Sequence, residues 1–162
     1  MSCGSNLALA GFVAALAGLL LGASDAAADE LRGRARVVAA NEIEVAGTTV
    51  RLAGIRVPRS DQRCRIGAGS YDCGRVAADA LRDLTTGTNV RCIVRGENAA
   101  GKPIATCLAD GYDLSEGMVY TGWAAAEPDS GRRYLALEWA ARAAHRGLWR
   151  GEFASEERAG NR

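Results

Sequence analysis

The chain has 162 residues, which is enough for one domain with a buried core but not for two such domains. Its hydrophobic content of 48% and its charged content of 24% are ordinary for a globular protein. The formal net charge of +1 gives no overall electrostatic attraction to nucleic acid.

Residues 1–28 have the pattern of a secretory signal peptide. Residues 7–23 form a continuous apolar run, and small residues follow up to Ala28, where an A-x-A pattern indicates cleavage. An uncleaved anchor is the alternative, because the run is close to the shortest length that spans a bilayer. Cleavage would remove Asp25 and reduce the 19 acidic residues to 18, against 20 basic residues, for a net charge of +2. We therefore expect a periplasmic or secreted protein without stable membrane association.

Three short segments with alternating or continuous apolar residues come next. With turn residues at Asn41 and at Ala46-Gly47, they predict antiparallel strands at residues 34–39, 42–45 and 48–55. In the second strand Glu42 and Glu44 share one face, with Asn41 on the other. We predict that the two glutamates form a charged, solvent-facing surface.

Four of the five cysteines remain after cleavage, since Cys3 would leave with the signal peptide. An even number in an exported domain predicts disulfide bonds, with three possible connectivities. We predict Cys92–Cys107, because both lie in consecutive predicted strands on either side of a turn, and Cys64–Cys73 across one loop. A bond closing a loop of this size adds about 3 kcal/mol. A zinc site is a poor alternative, because the chain has no C-x-x-C motif and a single histidine.

The second half of the chain predicts three helices and one hairpin. Asp72 is a candidate N-cap for a helix that would end before Gly87, with an apolar stripe at Val76, Ala77, Ala80, Leu81 and Leu84. Residues 90–94 and 104–108 predict the hairpin, and residues 114–121 a short helix.

A final helix is indicated by apolar residues at helical spacing, namely Tyr134, Leu137, Ala141, Ala144 and Leu148. We predict that it stops at Gly147 and that His145 lies exposed near its C-terminal end, where a positive ring is favoured. Residues 152–162 are polar and lack periodicity, which predicts a frayed tail and places the domain at residues 29–151.

The aromatic residues are predicted to have packing roles. Trp123, Trp139 and Trp149 are interpreted as core or packing residues rather than as ligand platforms. Tyr71 is predicted to pack at the start of the first long helix.

The predicted elements define a small α+β domain, a barrel or sandwich with helices on one side. Five segments identify it further: VRLAGI at 50–55, YDCG at 71–74, IATC at 104–107, GWA at 122–124 and RGLW at 146–149. In this order they resemble the staphylococcal-nuclease-like (thermonuclease) family over about residues 33–153. The resemblance implies a five-stranded OB-type barrel with three helices and a calcium-dependent nuclease activity.

The resemblance also implies which residues should cut the phosphodiester, and these are replaced. Such a site needs carboxylates for a hard cation, a carboxylate that acts on water, and two guanidinium groups that clamp the phosphate. Asn41 stands in place of a metal-binding aspartate. Arg56 replaces the second metal carboxylate, and Arg59 replaces the carboxylate that acts on water. Two arginines would repel a cation, so we predict a pseudo-nuclease that needs no cofactor.

The phosphate clamp is retained in part. Arg51 matches the first arginine of the family, and Lys102 stands in place of the second, which keeps the charge but loses the bidentate fork. Ala100 and Glu127 fall where the family has tyrosines that flank the nucleotide. We expect Glu127 to repel a phosphodiester backbone.

Two interpretations of the arginines remain open. Arg51, Arg56, Arg59 and Lys102, with Arg63 and Arg65 on the adjoining loop, are candidate ligands for a phosphate or a polyanion such as nucleic acid. Alternatively, Arg56 and Arg59 form ion pairs with Glu42, Asp61 or Glu97 and only hold loops in place.

The leading prediction is a monomeric binding or structural protein of the cell envelope. A rival prediction is a working or weak nuclease with a rearranged site, in which Asn41, Asp61 and Arg51 hold calcium and substrate. Only this rival needs an acidic cluster beside Arg51.

Overall fold

A computed structural model describes Met1, residues 29–151 and Phe153. The predicted signal peptide and most of the predicted tail lie outside the described residues. The described elements are β1 (Glu30–Gly33), β2 (Ala35–Ala39), β3 (Glu42–Val45), β4 (Thr48–Leu52), β5 (Ile55–Arg56), β6 (Cys64–Ile66), β7 (Gly69–Tyr71), α1 (Cys73–Thr85), β8 (Val90–Glu97), β9 (Pro103–Ala109), β10 (Tyr112–Asp113), α2 (Leu114–Tyr120), β11 (Ala125–Ala126), α3 (Arg132–Ala143) and a 3₁₀ helix (Gly147–Arg150).

The main sheet has the strand order β1-β8-β9-β4-β3-β2, with β10 added to β9. Among the strands that the structure describes in this sheet, only β4 and β9 pair in parallel, and the other pairs are antiparallel. The two end strands, β1 and β2, are separated in the chain by Arg34 alone. One bent segment therefore supplies both ends of the sheet, which is consistent with the predicted OB-type architecture and confirms an α+β fold.

The core is formed by strand residues that alternate between the inside and the outside of the sheet. Ile43 and Val45 are fully buried, whereas Glu42 and Glu44, which alternate with them along β3, are not. Leu81 of α1 packs on these strand residues from the helical side. Each fully buried aliphatic side chain contributes about 1.5–3 kcal/mol.

The predicted first helix is confirmed with Asp72 at its N-cap, but the Asp72 side chain does not cap the helix. α1 buries Ala77 and Leu81 and ends at Thr85, just before Gly87, which has a φ of 79°. Asp72 holds the N-cap position without a side-chain hydrogen bond to the helix. Its carboxylate instead accepts a hydrogen bond from Arg63 Nη1 at 2.5 Å, because a charged donor is a stronger partner than a backbone N–H.

The predicted third strand is interrupted at Gly54. The chain turns there with a φ of 74°, so that β4 ends at Leu52 and β5 pairs with β11. A Cβ at position 54 would lie 2.8 Å from Tyr134 Cε2. Glycine thus provides both the turn and the space for the Tyr134 ring.

The last helix is shorter than predicted. α3 ends at Ala143, His145 follows with a φ of 49°, and Gly147 begins the 3₁₀ helix. Ala144, predicted to be part of the apolar stripe, is exposed, and His145 is exposed at the helix end as predicted. The turn at His145 reverses the chain, so that Leu148 reaches the core without a continuous helix.

The prediction for Trp139 is wrong, because this side chain is 74% exposed. α3 is attached to the domain through Glu138 and Ala141, and Trp139 lies on its outer side. Trp123 packs against both buried clusters, and Trp149 contacts the ring of Phe153 at 5.8 Å between centroids. These two tryptophans have the predicted packing role.

Both predicted disulfides are present. Cys92 and Cys107 are opposite each other in β8 and β9, and their bond links these two adjacent strands. Cys64–Cys73 joins the β6–β7 hairpin to the first residue of α1. This hairpin was not predicted from the sequence, which lacks a long apolar run there.

We expect loss of the Cys92–Cys107 bond to lower the free energy of unfolding by about 3 kcal/mol, because the unfolded chain regains loop entropy. The measurement is urea denaturation of a Cys64→Ala/Cys73→Ala variant with and without dithiothreitol, since only Cys92–Cys107 can then be reduced. An unchanged midpoint in reductant would contradict a stabilising role.

Candidate functional site

Strand register brings three of the predicted site residues together. Arg51 in β4 lies directly opposite Glu42 in β3 and beside Ile104 in β9. Lys102 immediately precedes β9, and its Nζ is 2.7 Å from Glu42 Oε2. The predicted clamp residues Arg51 and Lys102 therefore flank one glutamate at the same end of the barrel.

Each of these two cations has a carboxylate partner. Arg51 Nη2 is 3.6 Å from Glu127 Oε1, and the two side chains are 36% and 32% exposed. Together with Lys102 and Glu42, this gives two positive and two negative charges, which we name the mouth cluster. At this exposure each pair contributes at most about 1 kcal/mol. The cluster is neutral, so it does not form the positively charged pocket that the arginine pattern suggested.

Arg59 forms the ion pair with Asp61 that was one of the two predicted alternatives. Arg59 Nε and Nη2 each lie 3.2 Å from a carboxylate oxygen of Asp61, in a bidentate arrangement. The backbone N–H of Gln62 donates to Arg59 O at 2.9 Å, and Arg59 N–H donates to the Gln62 side chain at 3.0 Å. The guanidinium that replaces a catalytic carboxylate thus takes part in a compact turn.

Arg56 interacts with the backbone of a neighbouring strand. Its Nη2 donates to Ala126 O at 3.2 Å. The N–H of Ala126 donates in turn to Glu138 Oε2 at 2.7 Å. Arg56 therefore helps to connect β5, β11 and α3, at a position where the family pattern has a metal carboxylate.

Asn41 and Asp61, which the rival prediction requires to be close, line the same cleft. This cleft has a volume of about 420 Å³ and is lined by Ala39, Asn41, Val57, Pro58, Arg59, Ser60 and Asp61. Arg51, the third residue of the rival prediction, is not among its lining residues. The structure brings together two of the three residues, while Arg51 pairs with Glu127.

The donors in this region do not fit a calcium ion. Calcium takes six to eight oxygen ligands, usually with several carboxylates. In the cleft Asn41 offers a neutral amide, and the Asp61 carboxylate is bound by Arg59. Across the described ranges, no group of three or more His, Cys, Asp or Glu residues is placed to hold a metal ion.

Arg63, Arg65 and the remaining acids have local roles. Arg63 is bound within the β6–β7 hairpin by Asp72 and by Ser70 Oγ at 2.9 Å. Arg65 is an exposed residue of β6. Glu44 pairs with Arg36, which supports the predicted charged outer face of β3.

The loop that carries Arg59 lies against the first turn of α1, and Gly74 permits this contact. A Cβ at position 74 would lie 1.8 Å from Arg59 O and 2.9 Å from the Ser60 carbonyl carbon. Gly74 N–H donates to Gln62 O at 3.3 Å. Gly74 was not singled out from the sequence, although a glycine in the first turn of a helix is a signal for close backbone approach.

Comparison with known proteins agrees with this geometry. A family model described as staphylococcal nuclease homologue matches residues 49–151. The chain is also 32% identical over 143 residues to the succinoglycan biosynthesis protein ExoI of Rhizobium meliloti (strain 1021). The aligned region covers 86% of this chain and 75% of that protein. The chain therefore belongs to the staphylococcal nuclease homologue family.

We expect Gly74→Ala to destabilise the protein by about 1–3 kcal/mol, although alanine is the better helix former, because the new Cβ would overlap the Arg59 carbonyl. Thermal or urea denaturation measures the change. Gly69→Ala is the matched control, since a Cβ there meets only Ile66 O at an ordinary 3.7 Å. Equal stability of the two variants would show that the loop can move away freely.

We expect calcium to leave the melting temperature of this protein unchanged. In an Asn41→Asp/Arg56→Asp/Arg59→Glu variant, calcium at about 100 times its Kd would add about 2.7 kcal/mol, because carboxylates replace the guanidinium groups. Differential scanning fluorimetry with calcium and with chelator measures both proteins. A folded triple variant that does not respond to calcium would contradict the assignment of these three positions.

Proposed function

We propose that this protein is an exported member of the nuclease family that acts in the cell envelope by binding or as a structural component, without metal-dependent hydrolysis. The observation that carries the proposal is the set of side chains at the family's carboxylate positions. Asn41, Arg56 and Arg59 stand there, and Arg59 binds the nearby carboxylate of Asp61. An attacking water would have neither a metal ion nor a base beside it.

The signal-peptide pattern, the two disulfides and one relative support a location in the envelope. The predicted signal peptide directs export, and two disulfides are typical of an oxidising compartment such as the periplasm or the exterior. The relative in Rhizobium meliloti is named for the biosynthesis of succinoglycan, which supports a role beside polysaccharide production for this chain as well.

None of the helices in the described part of the chain has the length and apolar character needed to cross a membrane.

We propose that a phosphate-bearing ligand or nucleic acid binds only weakly, at Arg51, Arg56, Arg59 and Lys102. Glu127, Glu42 and Asp61 pair with three of these four cations and compete with any incoming anion. Binding would therefore require the exchange of one ion pair for another, with little net gain. The same contacts would be weakened by salt, because they involve phosphate charges.

We expect Glu127→Gln to increase the affinity for a single-stranded DNA oligonucleotide, because Arg51 would lose its carboxylate partner. Fluorescence anisotropy at low salt measures the change, and Asp129→Gln, which alters an exposed acid, is the matched control. If both variants bind the oligonucleotide equally, the mouth cluster is not where the anion binds.

A second candidate is a nuclease with a rearranged site that uses calcium. The observation that favours it is the shared cleft of Asn41 and Asp61. In this case the Asp61 carboxylate would have to leave Arg59 in order to hold the metal ion, with Arg51 binding the phosphate.

Cleavage of single-stranded DNA and of RNA by residues 29–162, with calcium and then with chelator, separates the two candidates. We expect no cleavage in either condition, because the carboxylates for metal and water are replaced. Chelator-sensitive cleavage that survives in Asp129→Ala but is lost in Asp61→Ala would establish the rearranged nuclease instead.

A further inference from the structure

A second cavity, outside the substituted nuclease site, has a volume of about 480 Å³. It lies among the end of α1, the turn between β9 and β10, α2 and the start of α3. Its lining includes none of the residues that replace or retain the nuclease groups. Its size is within the range of about 300–1,000 Å³ that small-molecule pockets occupy.

The inner part of this pocket is apolar. Leu84, Ala109, Leu114 and Leu137 form it, and Ala109 and Leu114 are buried while the two other leucines are partly exposed. Such a surface favours a ligand with an apolar body, because its burial removes hydrocarbon from water on both partners.

A glycine keeps the pocket open from the side of α2. Gly117 lies within this helix and lines the pocket, and a Cβ there would come within 3.0 Å of Leu84 Cδ1. Glycine inside a helix costs about 0.5–1 kcal/mol relative to alanine. At this position the smaller residue leaves the Leu84 side chain undisplaced, so the apolar wall keeps its shape.

Two tyrosines stand at the rim. Tyr112 is 82% exposed and Tyr120 is 53% exposed, which is unusual for rings beside an available apolar surface. The guanidinium of Arg146 lies 4.3 Å from the centre of the Tyr120 ring. One of the rim rings thus already forms a cation–π contact within the protein.

The charged residues of the pocket are three carboxylates and one guanidinium, those of Asp110, Asp113, Glu116 and Arg133. Glu116 pairs with Arg133. Asp113 caps α2 and accepts a hydrogen bond from Tyr134 at 2.7 Å, and burial raises the pKa of Tyr134, so that its hydroxyl remains a donor. Both of these acids are therefore already engaged.

Asp110 differs from the other acids of the pocket. It is exposed in the β9–β10 turn, and its carboxylate has no ion pair or side-chain hydrogen bond to another described residue. The net charge of the pocket is negative, which repels anions and attracts cations. This sign is opposite to the one that a phosphodiester ligand requires.

We propose that this pocket binds a small cationic ligand with an apolar body, with the cation at Asp110 and Tyr112 and the apolar part against the leucines. The negative charge of the pocket favours a cationic group on the ligand, and the apolar wall favours an apolar ligand body. The ligand class is thus an alkyl or arylalkyl amine, which is protonated at neutral pH, distinct from the nucleic acid ligand that the family resemblance implies.

Three probes of nearly equal shape test the proposal: phenethylamine, 2-phenylethanol and 3-phenylpropionate, titrated at pH 7 into residues 29–162. Amide chemical shifts in two-dimensional NMR report the site and the affinity. We expect shifts around Asp110, Tyr112 and Gly117, with the cation binding most tightly and the anion least. Absence of shifts at these residues, or tighter binding of the anion, would overturn the proposal.

Variants assign the selectivity to Asp110. We expect Asp110→Asn to weaken phenethylamine binding by roughly two- to fivefold and to leave 2-phenylethanol unchanged, as for one exposed ion pair. Asparagine tolerates the positive φ of 47° at this position, so the turn is retained. Asp129→Asn is the matched control and should have no effect. Equal weakening of both probes, or none of either, would show that Asp110 does not bind the cation.

A second variant tests the pocket itself. Gly117→Leu places a side chain in the cavity and should abolish the binding of phenethylamine and 2-phenylethanol together. Retained binding in a folded Gly117→Leu protein would place the probes elsewhere. If that variant fails to fold, Tyr112→Ala replaces it, because Tyr112 is exposed and its removal should weaken the amine more than the alcohol.

Discussion

The chemistry of the nuclease-like site depends on one constraint, the pairing of three of its four candidate cations with carboxylates. Arg51 pairs with Glu127, Lys102 with Glu42, and Arg59 with Asp61. A calcium ion would need carboxylates that are not already neutralised, and a phosphate would need cations that are not. Each pair is weak on its own because it is partly exposed. Together, however, the three pairs neutralise both the carboxylates that a metal ion would need and the cations that a phosphate would need. Arginines at the positions matched to the family's carboxylates would therefore affect more than the metal ligands, since Arg59 also binds Asp61.

Several of the segments that carry the family resemblance form close backbone contacts with distant parts of the chain. A Cβ on Gly122 would lie 2.4 Å from Arg146 O, and a Cβ on Gly147 would lie 2.5 Å from Gly122 O, while Leu148 N–H donates to Gly122 O at 2.9 Å. The GWA and RGLW segments are thus two halves of one contact. The YDCG segment contains Gly74, and the backbone of the Arg59 loop packs closely against this glycine. Because these contacts need no catalytic side chain, the fold persists when the carboxylates of the site are replaced.

Periodicity and spacing predicted what depends on neighbours along the chain or across a hairpin. The burial of Ile43 and Val45 follows from strand alternation, and Cys92 and Cys107 are opposite each other across a hairpin. The errors concern choices among distant partners. Asp72 binds Arg63 instead of capping α1, and Trp139 is exposed because α3 attaches by another face. Glu127 was expected to repel a ligand, but it pairs with Arg51. This pair depends on where β11 and the segment after it lie against the main sheet, and no local sequence pattern encodes that position.

The two candidate sites differ in their net charge and in whether they contain the positions matched to the nuclease groups. The mouth cluster is neutral because its cations are satisfied internally. The pocket beside α2 is apolar inside and acidic at the rim, and its lining contains none of the positions matched to the nuclease groups. Binding in that pocket depends on the β9–β10 turn and on the packing of α1, α2 and α3, which the buried Leu114 and the buried Ala141 help to secure. The two places share a scaffold but no lining side chain, so substitutions at the mouth leave the residues of the pocket unchanged.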